Sequence, residues 1–147
     1  TEIDIEDMIY DYLRRSHHAG VAHVDLTCSY DHAQANRQIF CLPKSDDAKT
    51  DFDRVVDEAN KMLMQLPARS NLSFKQYIDA VSRGITRARN DFGISANITM
   101  VLLRHEPVEK ALSLLDLIAA YPHPDVTAIG MAGDEENNPA SKFHDCF

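Results

Sequence analysis

The sequence is short of most features that would settle a function at once. It holds no concentrated run of lysine and arginine, and its 15 basic residues are outnumbered by 23 acidic ones, for a net charge of −8. Binding along a nucleic-acid backbone draws on clustered cations, so the charge speaks against that partner. No apolar stretch approaches the ~20 residues of a membrane-spanning helix, so no membrane role is expected. The opening Thr1-Glu2-Ile3-Asp4 is acidic and lacks the charged-then-apolar pattern of a secretory leader. Cysteine is scarce. Cys28, Cys41 and Cys146 are odd in number and not closely spaced, which reads as reduced thiols in a cytoplasmic protein rather than a disulfide framework. Also missing are a P-loop, a Gly-x-Gly-x-x-Gly turn, an HExxH or HxH pair, and a Ser-His-Asp order.

What is present is an alternation of helix and strand patterns. Hydrophobic residues make up 44% and charged residues 26%, which suits a soluble domain with a core. Ile5, Met8, Ile9 and Tyr12 recur at helical spacing, and Gly20 closes that segment. In the next stretch Ala22, Val24, Leu26 and Cys28 alternate with His23, Asp25, Thr27 and Ser29, the period of a strand. The stretch 31–71 is less legible: it holds Pro43, the polar run Lys44 to Lys49, and an amphipathic pattern through Phe52, Val55, Val56, Ala59, Met62 and Leu63. A clearer helix follows. Ser73 and Gln76 form a capping-box pair, Phe74, Ile78, Val81, Ile85, Ala88 and Phe92 trace one face, and Gly93 ends it. The apolar run Ala96–Leu103 has the length of a parallel strand covered on both faces. Pro107 opens a helix with Ala111, Leu114, Leu115 and Ile118 inward, Pro122 and Pro124 end it, Val126–Met131 reads as a third strand, and a last helix is expected from Ser141. Strands alternating with helices predict an α/β fold with a parallel sheet.

Each expected strand runs into a polar cluster at its carboxyl end: Ser29-Tyr30-Asp31-His32, Arg104-His105-Glu106 and Gly133-Asp134-Glu135. Parallel α/β folds bind ligands at those ends, although loops are polar in any case. His32 and His105 have the chemistry of ligands or acid–base groups, yet neither belongs to a metal-binding pair, and a supporting loop role is the better reading. His17-His18 suits a solvated helix C-terminus. Asp134, Glu135 and Glu136 read more readily as a solvated loop than as a carboxylate site. Cys28, on the apolar face of its strand, reads as a buried structural thiol.

Two stretches carry a resemblance. Ala88 to Tyr121, with its Asp91-Phe92-Gly93-Ile94 turn and an apolar strand closing on Arg104-His105, is followed by Val126 to Glu135, ending in Ala132-Gly133-Asp134-Glu135. Together they resemble the adenosine deaminase family. Gly20 to Ala33 is similar to that family's second barrel strand, and Lys142 to Phe147 to the helix before its fifth; residues 34–71 stand apart as an unmatched helical insert. The resemblance implies a partial (β/α)8 barrel of three parallel strands with intervening helices, residues 1–147 forming a single partial domain, since a closed barrel needs ~250 residues. It implies a parent enzyme that deaminates adenosine or a related purine with zinc. The zinc ligands, an HxH pair after the first strand, a His-Ala-Gly-Glu histidine after the fifth and a later Asp, are all missing from this sequence. The chain alone is therefore expected to hold no zinc, to contribute no catalytic residue and to be inactive. Of the family's substrate-binding positions, Gly133 matches the glycine whose backbone N–H meets the purine ring; Ser29 and Leu103 match pocket-lining positions. Gly130 stands where many relatives have Asp, which leaves subgroup and substrate open. Other readings are a barrel deaminase of adenine, a nucleotide or another aminopurine, and a non-catalytic α/β interaction module that self-associates through its sheet edges.

Overall fold

The computed structural model of the chain describes residues 1–30 and 72–147. The helix expected within Phe52–Leu63, the rest of the 34–71 insert, His32 and Cys41 lie outside the described residues.

Helix α1 spans Glu2–His18 and is fixed at its start by a reciprocal box, in which the Thr1 side chain accepts from the Asp4 N–H and Asp4 accepts from the Thr1 terminus. Strand β1 follows at His23–Cys28. Helix α2, Phe74–Phe92, starts on the Ser73–Gln76 box and stops at Gly93, whose φ of +73° is the left-handed cap expected there. Strand β2 covers Ser95–Leu103, helix α3 Val108–Ala120 and strand β3 Val126–Ala132, and a short 3-10 helix occupies Ala140–Cys146.

The three strands form one parallel sheet in the order β1-β2-β3. Leu26 lies opposite Ile98, Cys28 opposite Met100, and Leu103 opposite Ala132. Because side chains alternate along a strand, one face of the sheet gathers the buried Leu26, Cys28, Ala96, Ile98, Met100 and Leu102. The buried stripe of α2 (Ile78, Val81, Ile85 and Ala88) and Ala111 and Leu114 of α3 supply the matching apolar layer. Toward the amino ends of the strands the other face is small and polar, and toward the carboxyl ends it carries the buried Val101 and Leu103. Asp25 and Thr27 are exposed, Asn97, Thr99 and Gly130 are half-buried, and Ala128 is exposed. The amino half of β2 is thus not covered on both faces among the described residues, contrary to the expectation from its apolar run; within the strand only Met100 to Leu103 are buried in succession.

Three further details differ from the sequence reading. On α1 the buried residues are Ile9 and Leu13, while Met8 and Tyr12 are exposed. The reason is the docking of α1 onto α2 through Gly84: a Cβ there would lie 2.7 Å from the Glu6 carbonyl oxygen and 2.8 Å from Ile9 Cβ, so the glycine turns the Ile9 side of α1 inward. Phe92 does not join the sheet core but stacks against Tyr10, His17 and His18 of α1, at ring-centroid distances of 5.7, 5.6 and 6.0 Å. The segment after Pro139 is a kinked 3-10 turn rather than an α-helix, with Phe143 at φ −108° and fully buried. Burying Phe143 while Lys142 reaches back to the end of β2 tightens this turn.

Candidate functional site

The carboxyl ends of β2 and β3 are joined side by side by two basic residues. Arg104 directly follows the buried Val101–Leu103 and is itself only 8% exposed. Its backbone N–H donates to the Ala132 carbonyl at 2.9 Å, continuing the ladder one step past the strands. Its guanidinium donates to the Asn138 carbonyl at 3.0 Å and pairs with the Glu135 carboxylate at 3.2 Å. A planar fork with donors on separate nitrogens suits two acceptors held apart, which a single ammonium does not reproduce. Lys142 works in the other direction: its ammonium donates to the carbonyls of Arg104 and Glu106 at 3.2 and 3.3 Å and to Asn138 Oδ1 at 2.9 Å. Between these anchors the loop is braced from within. Asp134 accepts from the Asn137 backbone N–H at 3.2 Å and from its side-chain amide at 2.6 Å, and these bonds hold the Asp134 carboxyl below its ordinary range.

Gly133 begins that loop. Its φ of +109° lies in the region that favours glycine, and a Cβ there would sit 3.3 Å from His105 Nδ1 and 3.6 Å from Arg104 Cβ. The backbone is therefore pressed against the Arg104-His105 turn with no room for a comfortable side chain. Gly130 differs. A Cβ there meets Thr99 Cγ2 at an ordinary 3.4 Å, so among the described residues nothing in packing requires glycine at this position.

Leu103 and Gly133 are brought together, since Leu103 pairs with Ala132. Ser29, half-buried, follows the last residue of β1, on the far side of β2. Cys28 lies opposite Met100 while Ala132 lies opposite Leu103, so Ser29 sits about three residues lower along the sheet than Gly133 as well as two strand spacings of ~4.8 Å across it; the structure does not bring Ser29 together with Leu103 and Gly133. His105 is exposed beside Gly133. His17 and His18 are exposed on α1, as a solvated helix end requires. Cys28 is buried, and that burial pushes its thiol pKa up, which suits packing and disfavours a thiolate nucleophile. Arg104, Asn138 and Lys142 are the residues to which reading the sequence gave no role. The signal for Arg104 was its place at the end of an apolar run, where a charge must find partners as it is buried.

The described residues do not fit a zinc site. No three His, Cys, Asp or Glu side chains among them come together in a metal-binding arrangement. The polar group on the open face is engaged internally and lies at the amino ends of the strands: His23 Nδ1 meets Ser95 Oγ at 2.7 Å, and His23 Nε2 lies 3.4 Å from Asp25 Oδ1.

A parallel sheet with helices on one face, an opposite face that is small and polar toward its amino ends, and its braced loops at the carboxyl ends is part of the wall of a (β/α)8 barrel. Comparison with known proteins agrees and goes further. The chain belongs to the adenosine deaminase family, whose pattern matches residues 1–147. It is 41% identical over 75 residues to an adenosine deaminase of Lactococcus lactis, covering 51% of this chain and 21% of that protein. It is 30% identical over 95 residues to an adenine deaminase of Acinetobacter baylyi, covering 65% of this chain and 28% of that protein. An amidohydrolase of Burkholderia ambifaria, solved with zinc bound, superposes with a TM-score of 0.70 at 16% identity, over 99% of this chain and 31% of that one. The chain thus spans less than a third of the length of these relatives.

Proposed function

We propose that this chain is the wall segment carrying the second, third and fourth strands of a longer, zinc-dependent deaminase. That enzyme replaces the exocyclic amino group of adenosine or deoxyadenosine with oxygen from water, giving inosine or deoxyinosine and ammonia. The observation that carries the reading is Gly133. It stands at the carboxyl end of β3 with φ +109°, packed against Arg104 and His105, so its backbone can come close to a flat ring that a side chain would hold off. Leu103 beside it and Ser29 at the end of β1 contribute shape. The zinc and its ligands belong to other parts of the enzyme, as does the proton shuttle. The setting is cytoplasmic and the partner a small purine; among the described residues no helix is long and apolar enough to cross a membrane. A second reading, adenine as the substrate, is favoured by the Acinetobacter baylyi relative, an adenine deaminase matched over 65% of this chain. Ammonia release by the longer protein, measured side by side on adenosine, deoxyadenosine and adenine, separates the two. A higher kcat/KM on the nucleosides supports the first reading, a higher one on adenine the second, and turnover of none removes both.

A further inference from the structure

We propose that Arg104, together with Lys142, is a positioning residue that sets the place of the Gly133 backbone; its effect on substrate rests on the deaminase reading above. The loop 133–139 is tied at both ends to the turn after β2. At its start the Arg104 N–H holds the Ala132 carbonyl at 2.9 Å; at its end the Arg104 guanidinium holds the Asn138 carbonyl at 3.0 Å, with the Glu135 carboxylate at 3.2 Å between them. Lys142 closes the circuit, binding the Arg104 and Glu106 carbonyls and the Asn138 side chain. Both side chains tie Asn138 to the turn after β2, Arg104 through the Asn138 carbonyl and Lys142 through the Asn138 side chain. A backbone N–H that contacts a ligand works only if it is held within a fraction of an ångström, and a glycine supplies no stiffness of its own. The stiffness at Gly133 comes from the buried arginine behind it. Arg104 needs no contact with substrate to act this way.

The test compares the longer protein with its Arg104→Met, Arg104→Lys, Lys142→Met and Glu135→Gln variants, reading KM, kcat, thermal midpoint and peptide-level hydrogen exchange over residues 132–139. Loss of a buried charged hydrogen-bond pair predicts a KM raised about tenfold in Arg104→Met, with kcat changed less. Arg104→Lys keeps the charge but not the fork, and recovers part of the loss. Glu135 is on the solvent side, so Glu135→Gln raises KM roughly two- to fivefold and tests the clamp even if Arg104→Met fails to fold. Exchange over 132–139 quickens in each variant, while α2 is unaffected. A lowered thermal midpoint with unchanged KM would mark Arg104 as merely structural and overturn the proposal, as would unchanged exchange over the loop. A wild-type protein inactive on adenosine and adenine would overturn the deaminase reading instead, while quickened loop exchange in the variants would still uphold the clamp.

Discussion

At the scale of the residue, Gly133 answers to one demand of the fold and, in the proposed function, to a second of the substrate. Its φ of +109° and the 3.3 Å approach of a would-be Cβ to His105 mean that any side chain strains the turn; its place at a strand end means that the same side chain obstructs the rim. Gly133→Val in the longer protein is therefore expected to cost about 1–3 kcal/mol of stability from backbone strain. The functional part is read per folded molecule: kcat/KM should fall at least about tenfold in the active fraction, because a close backbone contact is lost. Active-site titration combined with a denaturation midpoint checks both numbers, and an unchanged kcat/KM in folded protein would reduce Gly133 to a turn residue. How legible was this in the sequence? The strand end and its Ala-Gly-Asp-Glu stretch were visible; the buried arginine was not. Arg104 is held by Glu135 and Asn138, and pairings between separate loops leave no periodic trace.

At the scale of the element, local signals were the readable ones. The Ser73–Gln76 box, the Gly93 cap and the α2 stripe are written in residues three or four apart, and the structure has all three except that Phe92 turns to α1. The docking of α1 was not readable, because it depends on Gly84 meeting a helix distant in the chain. Two substitutions separate the layers. Ile85→Ala, at a fully buried position between α2 and the sheet, should cost ~2–5 kcal/mol. Gly84→Val forces α1 away from a backbone oxygen and should cost ~1–3 kcal/mol. Urea midpoints falling at constant m would register each loss, and a neutral Gly84→Val would mean that α1 is not seated there. The contacts of α2 with α1 and with the end of α3 carry a pH dependence. Arg83 and Arg87 hold Glu6 by hydrogen bonds of 2.8 Å each and keep its carboxyl below the ordinary value; Lys75 and Tyr121 do the same for Asp79. A depressed carboxylate stabilises the fold above its unfolded pKa and ceases to do so as pH falls through its folded one. The thermal midpoint should then decline from about pH 5 toward about pH 3, and Glu6→Gln should flatten that decline. An equally steep decline in Glu6→Gln would place the acid sensitivity elsewhere.

At the scale of the whole molecule, the parallel sheet was legible because strand and helix patterns alternate, and the family because two of the polar clusters at strand ends are specific in combination. Substrate was not, and the matched relatives include both adenosine and adenine deaminases. Among the described residues both outer strands, β1 and β3, lack a neighbour on their free edges, and Ile129 of β3 and Leu112 and Leu117 of α3 are about 40% exposed. The 147-residue chain expressed alone should therefore self-associate, a behaviour that sedimentation velocity over a range of concentrations would reveal; a monodisperse monomer at high concentration would argue that those edges are protected. The central claim is that this segment positions a purine while chemistry and metal lie elsewhere in the enzyme. Zinc content and ammonia release from adenosine and adenine, determined together on the longer protein and on residues 1–147, test it most directly. The account predicts about one zinc per molecule with turnover in the longer protein, and neither in the segment. Tightly held zinc with turnover in the segment, or a longer protein that holds zinc yet releases no ammonia from either substrate, would contradict it.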